Sequence, residues 1–222
     1  GIPKTIDNDI LFLDKPFGFE TAFSLAAHAV RCAHTEAESA RNGVGLVKLM
    51  GRNSGSIACC AALATSLADI VLIPEVPFRL DGPGGLLAHI RLRLEHKQHC
   101  CIIVAEGAGQ EYLAHEESDI DPSGNRRPKD IGRFLNQAIR EDLAAAGLSH
   151  TVKYIDPSYM IRSVPATAKD SLYCLQLAQG AVHAAMTGRT EMVIGRWNHT
   201  FVHLPMSIVA SGKQCVNIEG DL

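Results

Sequence analysis

The sequence predicts an α/β fold: a parallel sheet with helices on both faces. Three observations carry this. Short apolar runs alternate with helix-forming stretches along most of the chain. The run "CCIIVAEG" (100–107) is apolar without alternation, as expected of a strand buried on both faces. Polar and charged residues then follow the apolar runs, which in open α/β sheets is where ligands bind.

The elements follow in order. "FGFETAFSLAAHAVRCAHTEAESA" (17–40) spaces its apolar residues at helical intervals among strong helix formers. "GVGLVKLM" (43–50) reads as a strand, and "NSGSIACCAALATSLA" (53–68) as a helix capped by Asn53 or Ser54. "DIVLIP" (69–74) is a strand, and residues 82–98 form a helix entered through the turn "DGPGG" (81–85). Strand 100–107 precedes a polar loop at 115–130, rich in turn residues. Helix 131–147, strand 151–156, a loop, helix 168–187 and strand 191–197 complete the alternation. A soft boundary near 108–130 divides residues 1–107 from 108–222.

Composition limits the function classes. The 222 residues are 46% hydrophobic and 20% charged, which suits one sizeable core. A net charge of −3 gives no reason to expect a nucleic-acid partner. No run of about 18 apolar residues suggests a membrane span. The seven cysteines form no CxxC and lie mostly in apolar runs, the pattern of reduced, buried thiols in a cytosolic protein.

The opening "GIPKTIDNDI" sets Asp7 two residues after Thr5 and two before Asp9. One such carboxylate can accept a proton from an attacking hydroxyl while the other helps hold Mg²⁺. Lys4 adds positive charge where a phosphoryl group would gather negative charge. Spacing alone favours an Asp-rich capped turn over this chemistry. Elsewhere, "DIDPSGNRRPKD" (119–130) starts like a calcium loop, with Asp119, Asp121, Ser123, Gly124 and Asp130. Arg126, Arg127 and Lys129 among the supposed ligands favour a surface turn instead. In "EHKQHCC", His96 and His99 are expected to face solvent rather than bind metal. Trp197 and Phe201 are expected to pack in the core at a strand end.

Five motifs occur in order: "GIPKTIDNDI", "KLMGRNSGSIA", "LIPEVPF", "VAEGAGQ" and "KYIDPSYMIR". Together they resemble the phosphofructokinase family across nearly the whole chain, and most closely its plant- and kinetoplastid-type ATP-using branch. The resemblance implies a three-layer α/β/α fold and phosphoryl transfer from ATP to the 1-hydroxyl of fructose 6-phosphate, with Mg²⁺. It implies that Asp7 is the general base, that Asp9 supports Mg²⁺ indirectly, and that Lys4 stabilises the transferring phosphoryl. Thr5, Met50, Gly51, Arg52, Glu106, Lys153, Tyr159 and Arg162 would bind the sugar phosphate. Lys153 stands where many relatives carry Arg. Gly43 stands where bacterial relatives carry an Arg given to a neighbouring subunit.

Alternatives are pyrophosphate as donor, for which relatives share "PKTIDND", and a non-catalytic sugar-phosphate-binding domain. By the same analogy a homo-oligomer, dimer or tetramer, is expected. A cytoplasmic setting is expected too, or an organelle if a targeting segment precedes Gly1. The family's Gly-rich donor loop and GGD motif are not in these residues, so Gly1 reads as a truncation point ahead of which the nucleotide-binding part would lie. The expected outcome is that the 222-residue chain alone makes no fructose 1,6-bisphosphate from ATP in a coupled assay; measurable product would refute it.

Overall fold

The computed structural model describes residues 1–114 and 128–220. Its centre is a parallel four-stranded sheet in the order β2-β3-β1-β4, made of β1 (Gly43–Leu49), β2 (Ile70–Leu72), β3 (His99–Ala105) and β4 (Thr151–Ile155). β1 aligns Leu46 with Ile102 of β3 and with Tyr154 of β4. The sheet takes strands from both sides of residue 108.

Side chains alternate between the two faces of each strand. Val44, Leu46, Ile102, Val104 and Val152 pack on one face against α3 (Leu86–Lys97) and α4 (Ile131–Ala145), through Ile90, Leu94, Leu135 and Ile139. Val47, Leu49, Cys101, Ile103 and Ala105 pack on the other against α1 (Phe19–Glu38) and α2 (Ser56–Thr65), through Ala26, Val30, Ile57 and Ala61. This is the expected three-layer arrangement. The alanine stripe of α1 lets its backbone come close to β1. A Cβ on Gly43 would sit 2.1 Å from the Ala37 carbonyl oxygen, so no arginine side chain can stand there.

The last expected strand departs from the alternation. β5 (Met192–Trp197) does not join the parallel sheet; it forms an antiparallel hairpin with β6 (Thr200–Pro205). The turn explains this. Asn198 and His199 both have positive φ, 48° and 63°, the two-residue turn that matches strand twist in hairpins. Asp14 accepts hydrogen bonds from both of their backbone N–H groups, at 2.7 and 2.8 Å. On β5's other edge, Ile194 N–H donates to the Gly1 carbonyl at 2.9 Å. Ile194 packs under α6 (Ala168–Met186) with Tyr173 and Leu177.

Other expectations need correction. The helix at 56 has Gly55 rather than Asn53 or Ser54 at its N-cap position, although the Ser54 hydroxyl does accept from Ser56 N–H at 3.3 Å; the Glu75 carboxylate accepts from Gly55 N–H at 3.0 Å. The "SYMIR" loop contains a short helix, α5 (Ser158–Arg162). Trp197 and Phe201 are not core residues; they remain 49% and 41% exposed, and each touches one ring, Phe12 and Tyr173 respectively. The turn at 81–85 leads into α3 as expected, with positive φ at Gly82 and Gly84. Of the calcium-like pattern, Asp119, Asp121, Ser123 and Gly124 lie outside the described residues, while Asp130 caps α4. All seven cysteines are unpaired, with Cys32 and Cys215 exposed. Burial pushes the Cys100 and Cys101 thiols up to about 12, which leaves them unreactive.

One fully buried carboxylate ties the N-termini of two helices together. Asp170, in the first turn of α6, accepts from Gly18 N–H, Thr21 N–H and the Thr21 hydroxyl, at 3.1, 2.8 and 2.5 Å. Gly18, the N-cap of α1, has no side chain to cap with, so the cap comes from another helix. Asp170→Ala would strand buried donors, at roughly 1–3 kcal/mol for each unsatisfied group. We expect Asp170→Ala to lower stability by about 3 kcal/mol in urea unfolding and Asp170→Asn, which keeps one acceptor, to lower it by less. Equal and negligible effects would contradict the cross-helix cap.

Candidate functional site

The segment Lys4–Asp9 crosses the carboxyl end of the sheet, and local chemistry sets its path. The Thr5 hydroxyl accepts from Asp7 N–H at 3.1 Å, a hydroxyl-centred turn that fixes the backbone at Asp7. Asn8 follows with φ 57°, a conformation asparagine tolerates well. The Thr5 hydroxyl also lies 3.4 Å from Asp9 Oδ1, while Lys213 Nζ stands 3.7 Å from Asp9 Oδ2. Gln214 N–H donates to the Asp9 carbonyl at 3.0 Å, so a distant segment closes over this loop.

Two strand ends meet beside it. Glu106 N–H donates to the Leu49 carbonyl at 2.8 Å, and Gly107 N–H to the Gly51 carbonyl at 3.1 Å. The Met50-Gly51-Arg52 and Glu106-Gly107 turns therefore run side by side. A Cβ on Gly107 would lie 2.0 Å from the Arg52 carbonyl oxygen, so only glycine lets them touch.

A cavity of about 610 Å³ opens where these pieces converge. Lys4, Thr5 and Asp7 line it from the first segment, Gly18 and Thr21 from the start of α1, and Met50 and Arg162 from the loops after β1 and β4. Burial pushes the Asp7 carboxyl up from its ordinary 3.8 to about 6; the charges of Asp9 and Glu106 add to the rise, and the Arg162 and Arg52 guanidiniums oppose it. Asp7, Asp9, Arg52, Glu106 and Arg162 thus share one electrostatic neighbourhood, although they come from four separate stretches of sequence.

Of the other residues singled out in the sequence, Asp9, Gly51, Arg52 and Glu106 do not line the cavity, although Asp9, Arg52 and Glu106 act on the Asp7 charge, and two more stand elsewhere. Lys153 lies on β4 opposite Gly45, is half-exposed, and sits 3.9 Å from Glu36 near the other end of the sheet. Tyr159 is 84% exposed on α5 and does not line the cavity.

Several supporting residues escaped the sequence reading. Lys48, nearly buried, pairs with Asp156 at 2.7 Å and joins the ends of β1 and β4. This pairing and the hydrogen bonds from Ser158 lower the Asp156 carboxyl below its ordinary range, against the effect of burial. Glu75, within the quoted "LIPEVPF", accepts from Gly55 N–H and also from Val216 N–H at 2.8 Å. Asp170 was legible in principle: "TAKD" (167–170) has capping-box spacing, and the Thr167 hydroxyl does accept from Asp170 N–H, at 3.4 Å. Lys213 carried no local signal at all.

The raised pKa of Asp7 has a thermodynamic consequence. Between pH 3.8 and about 6 the folded chain holds a proton on Asp7 that the unfolded chain has released, so stability falls as pH rises through that window. The penalty at neutral pH is about 3 kcal/mol at most, from a shift of roughly two pH units at 1.36 kcal/mol each. We expect Asp7→Asn to be more stable than the native chain at neutral pH, with the difference vanishing as pH falls toward 3.8. Urea unfolding at the two ends of that range measures it. A variant that is less stable at neutral pH would contradict the burial of this charge.

Known proteins share this architecture. The sequence profile of the phosphofructokinase family matches residues 1–185. The chain is 52% identical to an ATP-dependent 6-phosphofructokinase of Amycolatopsis methanolica, over 100% of its own length and 50% of that protein. It is 49% identical to the enzyme of the same name from Borreliella burgdorferi, over 99% of itself and 51% of that protein. The chain therefore spans about half the length of the curated relatives it matches. Among solved structures it resembles a pyrophosphate-dependent phosphofructokinase from Marinobacter aquaeolei, with TM-score 0.76 and 21% identity, over 99% of this chain and 54% of that one. At that identity the likeness speaks for the fold alone.

Proposed function

The chain belongs to the phosphofructokinase family, and from that premise we propose that its cavity binds fructose 6-phosphate and that Asp7 takes the proton from the sugar 1-hydroxyl as ATP gives up its terminal phosphoryl group. The observation that carries this reading is the convergence of a half-desolvated carboxylate with two guanidiniums from separate loops. Asp7 is poised for it. A carboxyl near pH 6 is a better base than an ordinary aspartate and is still ionised at neutral pH.

Arg162, at the cavity wall, offers a planar cation for the sugar's phosphate. Arg52 and Lys4 are the cations we assign to the charge that builds on the transferring group. Met50 supplies an apolar wall, and Glu106, beside Asp7, can accept from sugar hydroxyls. With so little covalent chemistry assigned to the protein, positioning and charge carry most of the rate.

Mg²⁺ belongs to the same proposal. The charges of Asp9 and Glu106 raise the Asp7 value even with two arginines opposing, although the three carboxylates do not bring their oxygens within 4.8 Å of one another. Bound there with the nucleotide, Mg²⁺ would neutralise phosphate charge, and Asp9 is the residue we assign to hold it, directly or through water. The relatives' names favour ATP over pyrophosphate as donor.

Calorimetric titration with fructose 6-phosphate and a coupled turnover assay, both on a chain that also carries the family's donor-binding part, test the proposal together. Asp7→Ser should retain sugar-phosphate binding within a few-fold and lower kcat by roughly 10²–10⁴-fold, the usual contribution of a general base. Arg162→Ala should lose binding. Turnover should fall as pH drops through about 6. Unchanged turnover in Asp7→Ser would reject the assignment of the base.

A further inference from the structure

We propose that His34, Glu38 and His99 form a binding site for a divalent transition-metal ion of the zinc class, at the end of the sheet opposite the cavity. His99 opens β3 and Glu106 follows its end, so the two sites lie about 20 Å apart at ~3.3 Å per residue.

His99 is held from outside the trio, while His34 and Glu38 are placed by their helix. His34 and Glu38 are four residues apart on α1 and so share one face of the helix, with His34 Nδ1 3.5 Å from Glu38 Oε2. His99 is presented by the sheet. Its Nδ1 lies 3.0 Å from the Lys97 carbonyl, an acceptor, so this nitrogen carries the proton. That leaves the Nε2 lone pair directed at Glu38, 4.0 Å from Oε1. A histidine whose second nitrogen donates to a backbone carbonyl is the usual arrangement of a metal ligand. The two imidazoles meet edge to face at 5.3 Å. One donor atom from each of the three residues lies within 4.8 Å of the others.

Ligands around one zinc ion stand at about 2.0–2.2 Å from it, so the three groups must close further. The flexible one is Glu38, 54% exposed, while His34 and His99 are only 15% and 19% exposed. Two imidazoles and one carboxylate suit zinc, cobalt, nickel or copper better than magnesium or calcium. The fourth position falls to water. His96 contributes nothing; it faces solvent on α3 as the sequence suggested, whereas His99 does not. Glu36, on the same stretch of α1, is engaged by Lys153. A bound ion would pin the last turn of α1 to the first residue of β3.

The test titrates the metal-free full chain with Zn²⁺ by calorimetry and with Co²⁺ by visible absorption. The native chain should take up one ion saturably and show the d–d bands of nitrogen- and oxygen-bound cobalt. His99→Gln and Glu38→Gln should each weaken binding by at least the roughly 10–100-fold that even outer-shell changes cause. His96→Gln should bind as the native chain does, and so should Cys32→Ser, which removes the nearby His28–Cys32 pair, 3.9 Å apart. Glu38 is exposed, so its variant keeps the test valid if a histidine variant misfolds. No saturable uptake by the native chain, or undiminished uptake in Glu38→Gln and His99→Gln, would overturn the proposal.

Discussion

The structure turns on one electrostatic constraint: a carboxylate, Asp7, kept partly out of water next to two other carboxylates and within reach of two guanidiniums. None of these groups would be comfortable alone. Burial of Asp7, together with the charges of Asp9 and Glu106, costs at most about 3 kcal/mol at neutral pH, from a net shift of about two pH units. That is a sizeable share of the 5–15 kcal/mol that typically holds a domain together. The arrangement persists because the sheet, the helices and three polar ties leave the loops no better place to go.

Those ties share a logic. Asp170 caps α1 from α6 and fixes Gly18 and Thr21 on the cavity wall. Glu75 holds the start of α2 to the segment at Val216. Lys48 and Asp156 lock the ends of β1 and β4, from which Met50 and Arg162 reach the cavity. Each is a charged group satisfied by backbone donors or an opposite charge, the condition on which a buried polar group is tolerable. The site is thus positioned by groups that do not line the cavity.

The parallel sheet was readable in advance because buried strands and amphipathic helices write their period into the sequence. The clustered site residues were readable only through ordered motifs, since Asp7, Arg52, Glu106 and Arg162 come together solely in three dimensions. β5 was misplaced because a run such as "EMVIGRW" looks alike in a parallel and an antiparallel sheet; the deciding signal was the Asn198-His199 turn. Lys153 was assigned by analogy to a sugar-phosphate role, yet its position in mid-strand sends it toward Glu36. Lys213, and the meeting of His99 with the His34–Glu38 pair of α1, depend on long-range packing that no local pattern encodes.

The central claim is that Asp7 holds its proton far above the range of an ordinary aspartate because of where the fold puts it. Site-resolved carboxyl NMR across a pH titration measures this directly. The account predicts a midpoint near 6 for Asp7, moving down when Asp9 or Glu106 is made neutral and up when Arg162 is removed. A midpoint close to 3.8, insensitive to those changes, would contradict it.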